Sequence, residues 1–120
     1  RLNGSMMAAS ERVTLYRWSN VPEEMPQPGV IRQTVNAERQ TLVRYRYAPG
    51  SVFPVHAHPE EQITVVLRGT LAFEIDGTEL LGEPGDVIVI PGGVAHGARV
   101  VGDEEVETLN TFVPRREHAP

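Results

Sequence analysis

The chain has 120 residues, a formal net charge of −5, no cysteine and no lysine, so arginine supplies all of its positive charge. That length supports one domain around one core, and the missing cysteines exclude disulfides and thiolate ligands. An acidic balance without clustered basic residues argues against nucleic acid as a partner, and no stretch is long and apolar enough to suggest a membrane partner or a signal peptide, so the cytoplasm is the expected location.

Residues 1–5 read as an expression-tag remnant ahead of Met6 or Met7. Residues 6–29 form an N-terminal segment, with a first strand expected at 13–18 and a Pro-rich link at Pro22, Pro26 and Pro28. The barrel is expected over 30–116, beginning with a strand at 30–35, and residues 117–120 make a polar tail whose His118 is given no role. Over 41–47 the apolar and charged residues alternate, with Leu42, Arg44 and Arg46 on one face and Val43, Tyr45 and Tyr47 on the other, which is strand periodicity. Residues 62–68 are β-branched and apolar. In the next run Leu71, Phe73 and Ile75 share a face, closing in an Asp76-Gly77 hairpin turn with its return strand at 78–81. Residues 87–90 form a short continuous apolar run, expected as a strand buried on both sides. The runs 95–101 and 106–113 are expected to pair around Gly102-Asp103. No segment shows helical period with caps, and 11 glycines and 10 prolines punctuate the chain. The fold class is all-β, a sandwich or barrel of short strands.

Three of the four histidines and one glutamine form a spaced set. His56 and His58, one residue apart, would share one face of a β-strand, because strand side chains alternate. Gln62 follows beyond Pro59, and His96 arrives from much further along the chain. Four N/O donors from three segments suit a borderline divalent transition metal. Glu60 and Glu61 read as solvent-facing loop charges, and Gly50, Gly69, Gly85 and Gly93 as tight-turn or positive-φ positions. If Gln62 faces inward with Thr64 and Val66, then Ile63, Val65 and Leu67 face outward as an apolar row that the N-terminal strand or a second subunit must cover. A homodimer is therefore expected.

The run Gly50-Ser-Val-Phe-Pro-Val-His56-Ala-His58-Pro-Glu-Glu-Gln62, followed by Gly69, resembles the first conserved motif of the cupin superfamily. Gly85-Asp-Val-Ile-Val-Ile-Pro91-Gly-Gly93-Val-Ala-His96 resembles the second. The resemblance covers residues 30–116 and implies a small jelly-roll β-barrel. It also implies one divalent transition-metal ion (Mn, Fe, Co, Ni or Zn) held by His56, His58, Gln62 and His96. Many cupins have Glu where this chain has Gln62, and the motif's usual Asn four residues after the last His is Val100 here. Three neutral imidazoles and a carboxamide leave the full charge on the ion, making it a stronger Lewis acid toward anionic oxygen ligands.

The C-terminal run Leu109-Asn110-Thr111-Phe112-Val113-Pro114-Arg115-Arg116 is similar to a segment of the cupins that convert 4,5-unsaturated monouronates into linear keto sugars. In that group an Asp, a Phe and an Arg of this segment line the pocket, so the resemblance assigns Asn110 and Arg116 as catalytic candidates. Phe112, Arg116 and the inward-facing Thr64 are the expected substrate contacts. Asn110 departs from the pattern, since a carboxamide cannot replace a carboxylate as general base. The expected function is metal-dependent enolisation, isomerisation or lyase chemistry on a small anionic, oxygen-rich molecule such as a uronate-like sugar. The alternatives are an iron-dependent dioxygenase and a non-catalytic module that binds a metal or small ligand.

Overall fold

The computed structural model describes residues 8–117 and 119; the expected tag remnant and His118 lie outside them. Ten strands follow one another: β1 (Glu24–Gln27), β2 (Val30–Asn36), β3 (Thr41–Tyr47), β4 (Val52–His56), β5 (Glu61–Arg68), β6 (Thr70–Ile75), β7 (Thr78–Gly82), β8 (Val87–Ile90), β9 (His96–Val101) and β10 (Val106–Val113). Among the described residues there is no α-helix, only 3-10 turns at Ala9–Arg12 and Trp18–Asn20, and no helix long and apolar enough to cross a membrane.

The strands form two antiparallel sheets, one of six in the order β1-β2-β3-β10-β5-β8 and one of four in the order β4-β9-β6-β7. From β3 onward the chain crosses between the sheets at almost every connection, which is the jelly-roll path and leaves the inner faces packed on each other. Alternation decides what goes inside. On β3 Val43, Tyr45 and Tyr47 are buried, and on β10 Val106 and Phe112 join them. Facing them from the smaller sheet are Phe53, Leu71, Phe73 and Val100, with the Tyr45 and Phe53 rings in edge contact at 5.9 Å. Each large apolar side chain buried this way contributes roughly 1.5–3 kcal/mol. Asp76 and Gly77, both at positive φ (51° and 76°), close the β6–β7 hairpin as the two central residues of a type I′ turn.

Three expectations are corrected. Residues 13–18 are not a strand: 13–17 run extended and exposed without a ladder partner, and the first strand is instead β1, inside the Pro-rich link. Pro26 is tolerated there because β1 is an edge strand that needs few N–H donors. Strand β8 is buried on one face only, because the outer face of its sheet is left uncovered there, and Val87 and Val89 point outward with 59% and 58% exposure. Strands β9 and β10 do not pair, because each is an interior strand with partners on both sides, β4 and β6 for β9, β3 and β5 for β10. Gly102, at φ 89°, carries the chain from one sheet to the other.

Candidate metal centre

Both sheets and one connection contribute to a cluster inside the barrel. His56 ends β4 and His96 begins β9, and the two are register partners, so one cross-strand pair supplies two imidazoles. His58 lies just past the end of β4 rather than on it, so the expectation that strand alternation pairs it with His56 is corrected. A close loop contact places it instead. The Gly93 N–H donates to the His58 carbonyl at 2.8 Å, and Gly92 approaches so closely that a Cβ there would lie 2.2 Å from the Pro59 oxygen. The Pro91-Gly92-Gly93 turn thus clamps the His58 loop and delivers His96 a few residues later.

The ring separations are 4.6 Å for His56–His96, 4.9 Å for His58–His96 and 5.6 Å for His56–His58. Nδ1 of each ring meets a backbone carbonyl, Pro54 for His56 (3.0 Å), Glu60 for His58 (3.0 Å) and Val94 for His96 (2.8 Å). A carbonyl can only accept, so the proton is assigned to Nδ1 in all three and the Nε2 lone pairs are left free. One ligand atom from each of the three lies within 4.8 Å of the others. Burial holds the His56 imidazole down to about 4, against the Pro54 carbonyl and with help from His96, His58 and Arg116, and burial likewise lowers His96. Protons therefore compete weakly with a metal for these two rings at neutral pH.

Gln62 and Thr64 face inward from β5, opposite Phe112 and Asn110 on β10. The Gln62 amide donates to Thr64 Oγ1 at 2.8 Å and to Asn110 Oδ1 at 3.3 Å, which turns Gln62 Oε1 to within 3.0 Å of His58 Nε2. Two acceptors side by side in a buried site are an arrangement that a shared cation would stabilise. Their spacing matches the edge between neighbouring ligands of an octahedral ion with arms of ~2.1 Å. The residues present therefore fit a divalent ion. Asn110, 2% exposed, is fully engaged: its Oδ1 also accepts from Thr64 Oγ1 (2.6 Å), and its Nδ2 donates to the Val43 carbonyl (3.2 Å) and Thr108 Oγ1 (2.9 Å).

Arg116 is 7% exposed, with its guanidinium centre 4.0 Å from the Phe112 ring centroid, a cation–π contact, and its Nε 3.8 Å from Glu60 Oε1. Glu60 corrects the solvent-facing expectation: it is buried, and its Oε1 also lies 3.6 Å from His58 Nδ1. Residues 60, 62, 64 and 66 share inward parity, so extending the β5 alternation back by one step was the signal that would have found it. Glu61, on the outward parity, is exposed as expected. The open space at the histidines is about 30 Å³, room for an ion and a water but not for a sugar. Arg116 borders it and also a second cleft of about 440 Å³, lined by Glu24, Arg32, Thr34 and Asn36 among others.

The fold and the site together define a jelly-roll barrel with a three-histidine cluster, two of them buried and His56 half-buried, able to hold a metal ion. The chain belongs to the cupin family: the cupin domain model (Cupin_2) matches residues 43–112. A germin-like protein of Ipomoea nil is 38% identical over 81 residues, 62% of this chain and 36% of that protein. The chain spans between 36% and 59% of the length of the curated relatives it matches, all germin-like proteins. Among solved structures it resembles an RmlC-like cupin from Shewanella frigidimarina (26% identity, TM-score 0.76, 85% of this chain and 91% of that one). KdgF from Halomonas sp. shares the fold at 24% identity and TM-score 0.78, over 87% of this chain and 97% of that one.

Proposed function

We propose that this cupin holds one divalent transition-metal ion through His56, His58, His96 and Gln62 and acts as an isomerase- or lyase-type enzyme on a small anionic, oxygen-rich molecule. The observation that carries the reading is the convergence of Nε2 lone pairs and Gln62 Oε1, each turned inward by a hydrogen bond on its far side. When bound, the ion would polarise a carbonyl or carboxylate oxygen and stabilise the negative charge that builds up beside it. Arg116 supplies a second positive group at the edge of the site, over the Phe112 ring, and suits a carboxylate. Glu60 balances that charge while no substrate is present. Since the space at the histidines is too small for a sugar, the bulk of a substrate would occupy the neighbouring cleft, entered by displacing Arg116 from Glu60. Asn110 serves as a positioning residue, aiming Gln62 through Oδ1; with both Nδ2 hydrogens already donated it has no free group for proton transfer.

A uronate-like substrate is the reading favoured by the resemblance of the run from Leu109 to Arg116 to the uronate-converting cupins, with Phe112 and Arg116 matching and Asn110 departing. The test uses the protein loaded with cobalt(II), whose visible spectrum reports its ligands. A 4,5-unsaturated monouronate should change that spectrum saturably and lose its double-bond absorbance on turnover, faster in Asn110→Asp if position 110 takes the proton. A spectral change without turnover would leave a binding module. No change with this or other small hydroxy or keto acids would overturn the substrate class. Oxygen uptake by the iron-loaded protein would favour the dioxygenase alternative.

A further inference from the structure

The larger sheet has six strands and the smaller four, so part of the larger sheet's inner face extends beyond the packed core. Strand β2 runs into that overhang. Val30, Arg32, Thr34 and Asn36 share its inner face, yet among them only Val30 joins the hydrophobic core. Strand β1 pairs no further than Glu24 with Arg32, which leaves Thr34 and Asn36 on a sheet edge among the described residues. The cleft of about 440 Å³ opens there, with Glu24, Arg32, Thr34 and Asn36 on one side and Thr41 and Arg116 on the side toward the metal centre.

Charge in this cleft is balanced. Among the described residues that line it, Arg32 and Arg116 stand against Glu24 and Glu117, and Arg32 Nε lies 3.3 Å from Glu24 Oε1. Balanced charge offers a second anion no net attraction, whereas an ion pair, a threonine hydroxyl and a carboxamide present the mixed donors and acceptors that match the hydroxyls of an uncharged sugar. Thr41 ties the cleft to the metal centre: its Oγ1 donates to Asn36 Oδ1 at 2.6 Å and accepts from the Arg116 N–H at 3.0 Å. Arg116 Nε is buried and has no hydrogen-bond partner among the described residues. Gln62, Phe112, Thr41 and Asn36 are successive register partners on β5, β10, β3 and β2, so Asn36 stands three strand spacings from Gln62, ~14 Å along the sheet. Phe112, beneath the Arg116 guanidinium, is the first of those steps. A single acidic sugar anchored at the ion and Arg116 therefore fills the near part of the cleft, at Thr41, and leaves Thr34, Asn36 and the Arg32–Glu24 pair beyond its reach.

We propose that the far part of the cleft is a second subsite, for an uncharged hydroxyl-rich unit linked to the acid that binds at the metal centre and Arg116, and that Thr34 and Asn36 determine its specificity. The ligand is then an acidic sugar joined to a neutral sugar rather than a lone monouronate. This rests on the proposed reading of the metal centre, which fixes where the acid end lies. Thr34 is half-buried on the cleft wall and opposite Val43 in register, so its side chain can be changed in size without touching the histidines, Gln62 or Arg116.

The test is isothermal titration calorimetry on the full chain in zinc-containing buffer, with glucuronate and a disaccharide of glucuronate linked to glucose as probes and backbone amide shifts read at residues 34 and 36. The disaccharide should bind at least tenfold more tightly than glucuronate, and it alone should move those two amides. Thr34→Tyr, which fills the far part of the cleft, should bring disaccharide affinity down to that of glucuronate and leave glucuronate affinity unchanged. Thr34→Val removes one hydroxyl with almost no change of shape, so it should weaken the disaccharide alone, by ~2–10-fold, and keeps the test alive if Thr34→Tyr fails to fold. Equal affinity for the two acids in wild type overturns the subsite alone, as do substitutions that weaken both acids alike or neither. Binding of neither acid removes the reading of the metal centre and the subsite with it.

Discussion

Replacing Asn110 by Asp tests the hydrogen-bond network that aims Gln62. The carboxylate still accepts from Thr64 and Gln62, but the two donations from Nδ2, to the Val43 carbonyl at 3.2 Å and to Thr108 Oγ1 at 2.9 Å, are lost. The new oxygen then faces another acceptor at a position only 2% exposed. The Thr108 hydroxyl can turn to donate to that oxygen, but the Val43 carbonyl cannot, and one unsatisfied buried acceptor pair costs ~1–3 kcal/mol, so the metal-free variant should lose about that much at neutral pH. The pH dependence has a definite sign. Burial and the facing carbonyl raise the folded-state pKa of an Asp here above its unfolded value of about 3.9, and the protonated acid can donate again. The penalty is therefore small below that unfolded value and grows as pH rises through the folded one. Urea unfolding of variant and wild type side by side, from pH 4 to 7, cancels the titrations they share. Equal midpoints at pH 7, or a difference that does not change with pH, would refute the network as described.

Gly92→Ala places a Cβ 2.2 Å from the Pro59 oxygen and must push the His58 loop outward, so it should cost ~1–3 kcal/mol and weaken metal binding more than tenfold, measured by thermal melts and equilibrium dialysis. In metal-free wild type, His56 has a folded-state pKa of about 4 against an ordinary value of 6.5, so the unfolded chain binds more protons between those values. Stability should rise with pH across that window, by less than the ~3 kcal/mol that the full shift would give because the ring is partly exposed and screened, and His56→Gln should flatten the rise in urea midpoint.

Much of the barrel was legible because a half-buried strand writes its orientation into period-two alternation. On β3 the apolar residues Val43, Tyr45 and Tyr47 announce the inner face, and on β5 the same rule turns Gln62, Thr64 and Val66 inward. Alternation does not give a strand's place in the sheet. The run at β8 is apolar throughout, yet it is an edge with one face open, and β9 and β10 are neighbours in sequence that find their partners far away. The segment at Val13 and Leu15 has strand-like alternation but joins no ladder.

The site divides in the same way. His56, His58, Gln62 and His96 were marked by type and spacing, and the structure brings them together with Thr64, Asn110, Phe112 and Arg116 around one cavity. The means of assembly were not visible. His58 is positioned by a contact between its loop and the Gly92-Gly93 turn, a meeting of segments more than thirty residues apart. The burial of Glu60 depends on Arg116 arriving from beyond the last strand, which a local pattern cannot express.

The central claim, a metal held by three imidazoles and one carboxamide, is tested most directly by metal content after equilibrium dialysis against micromolar Mn, Fe, Co, Ni or Zn. The account predicts one ion per chain for at least one of these metals, with affinity falling more than a hundredfold in His96→Ala and by a smaller factor in Gln62→Ala. A chain that binds none of the five, or one whose affinity survives the loss of His96, would contradict it.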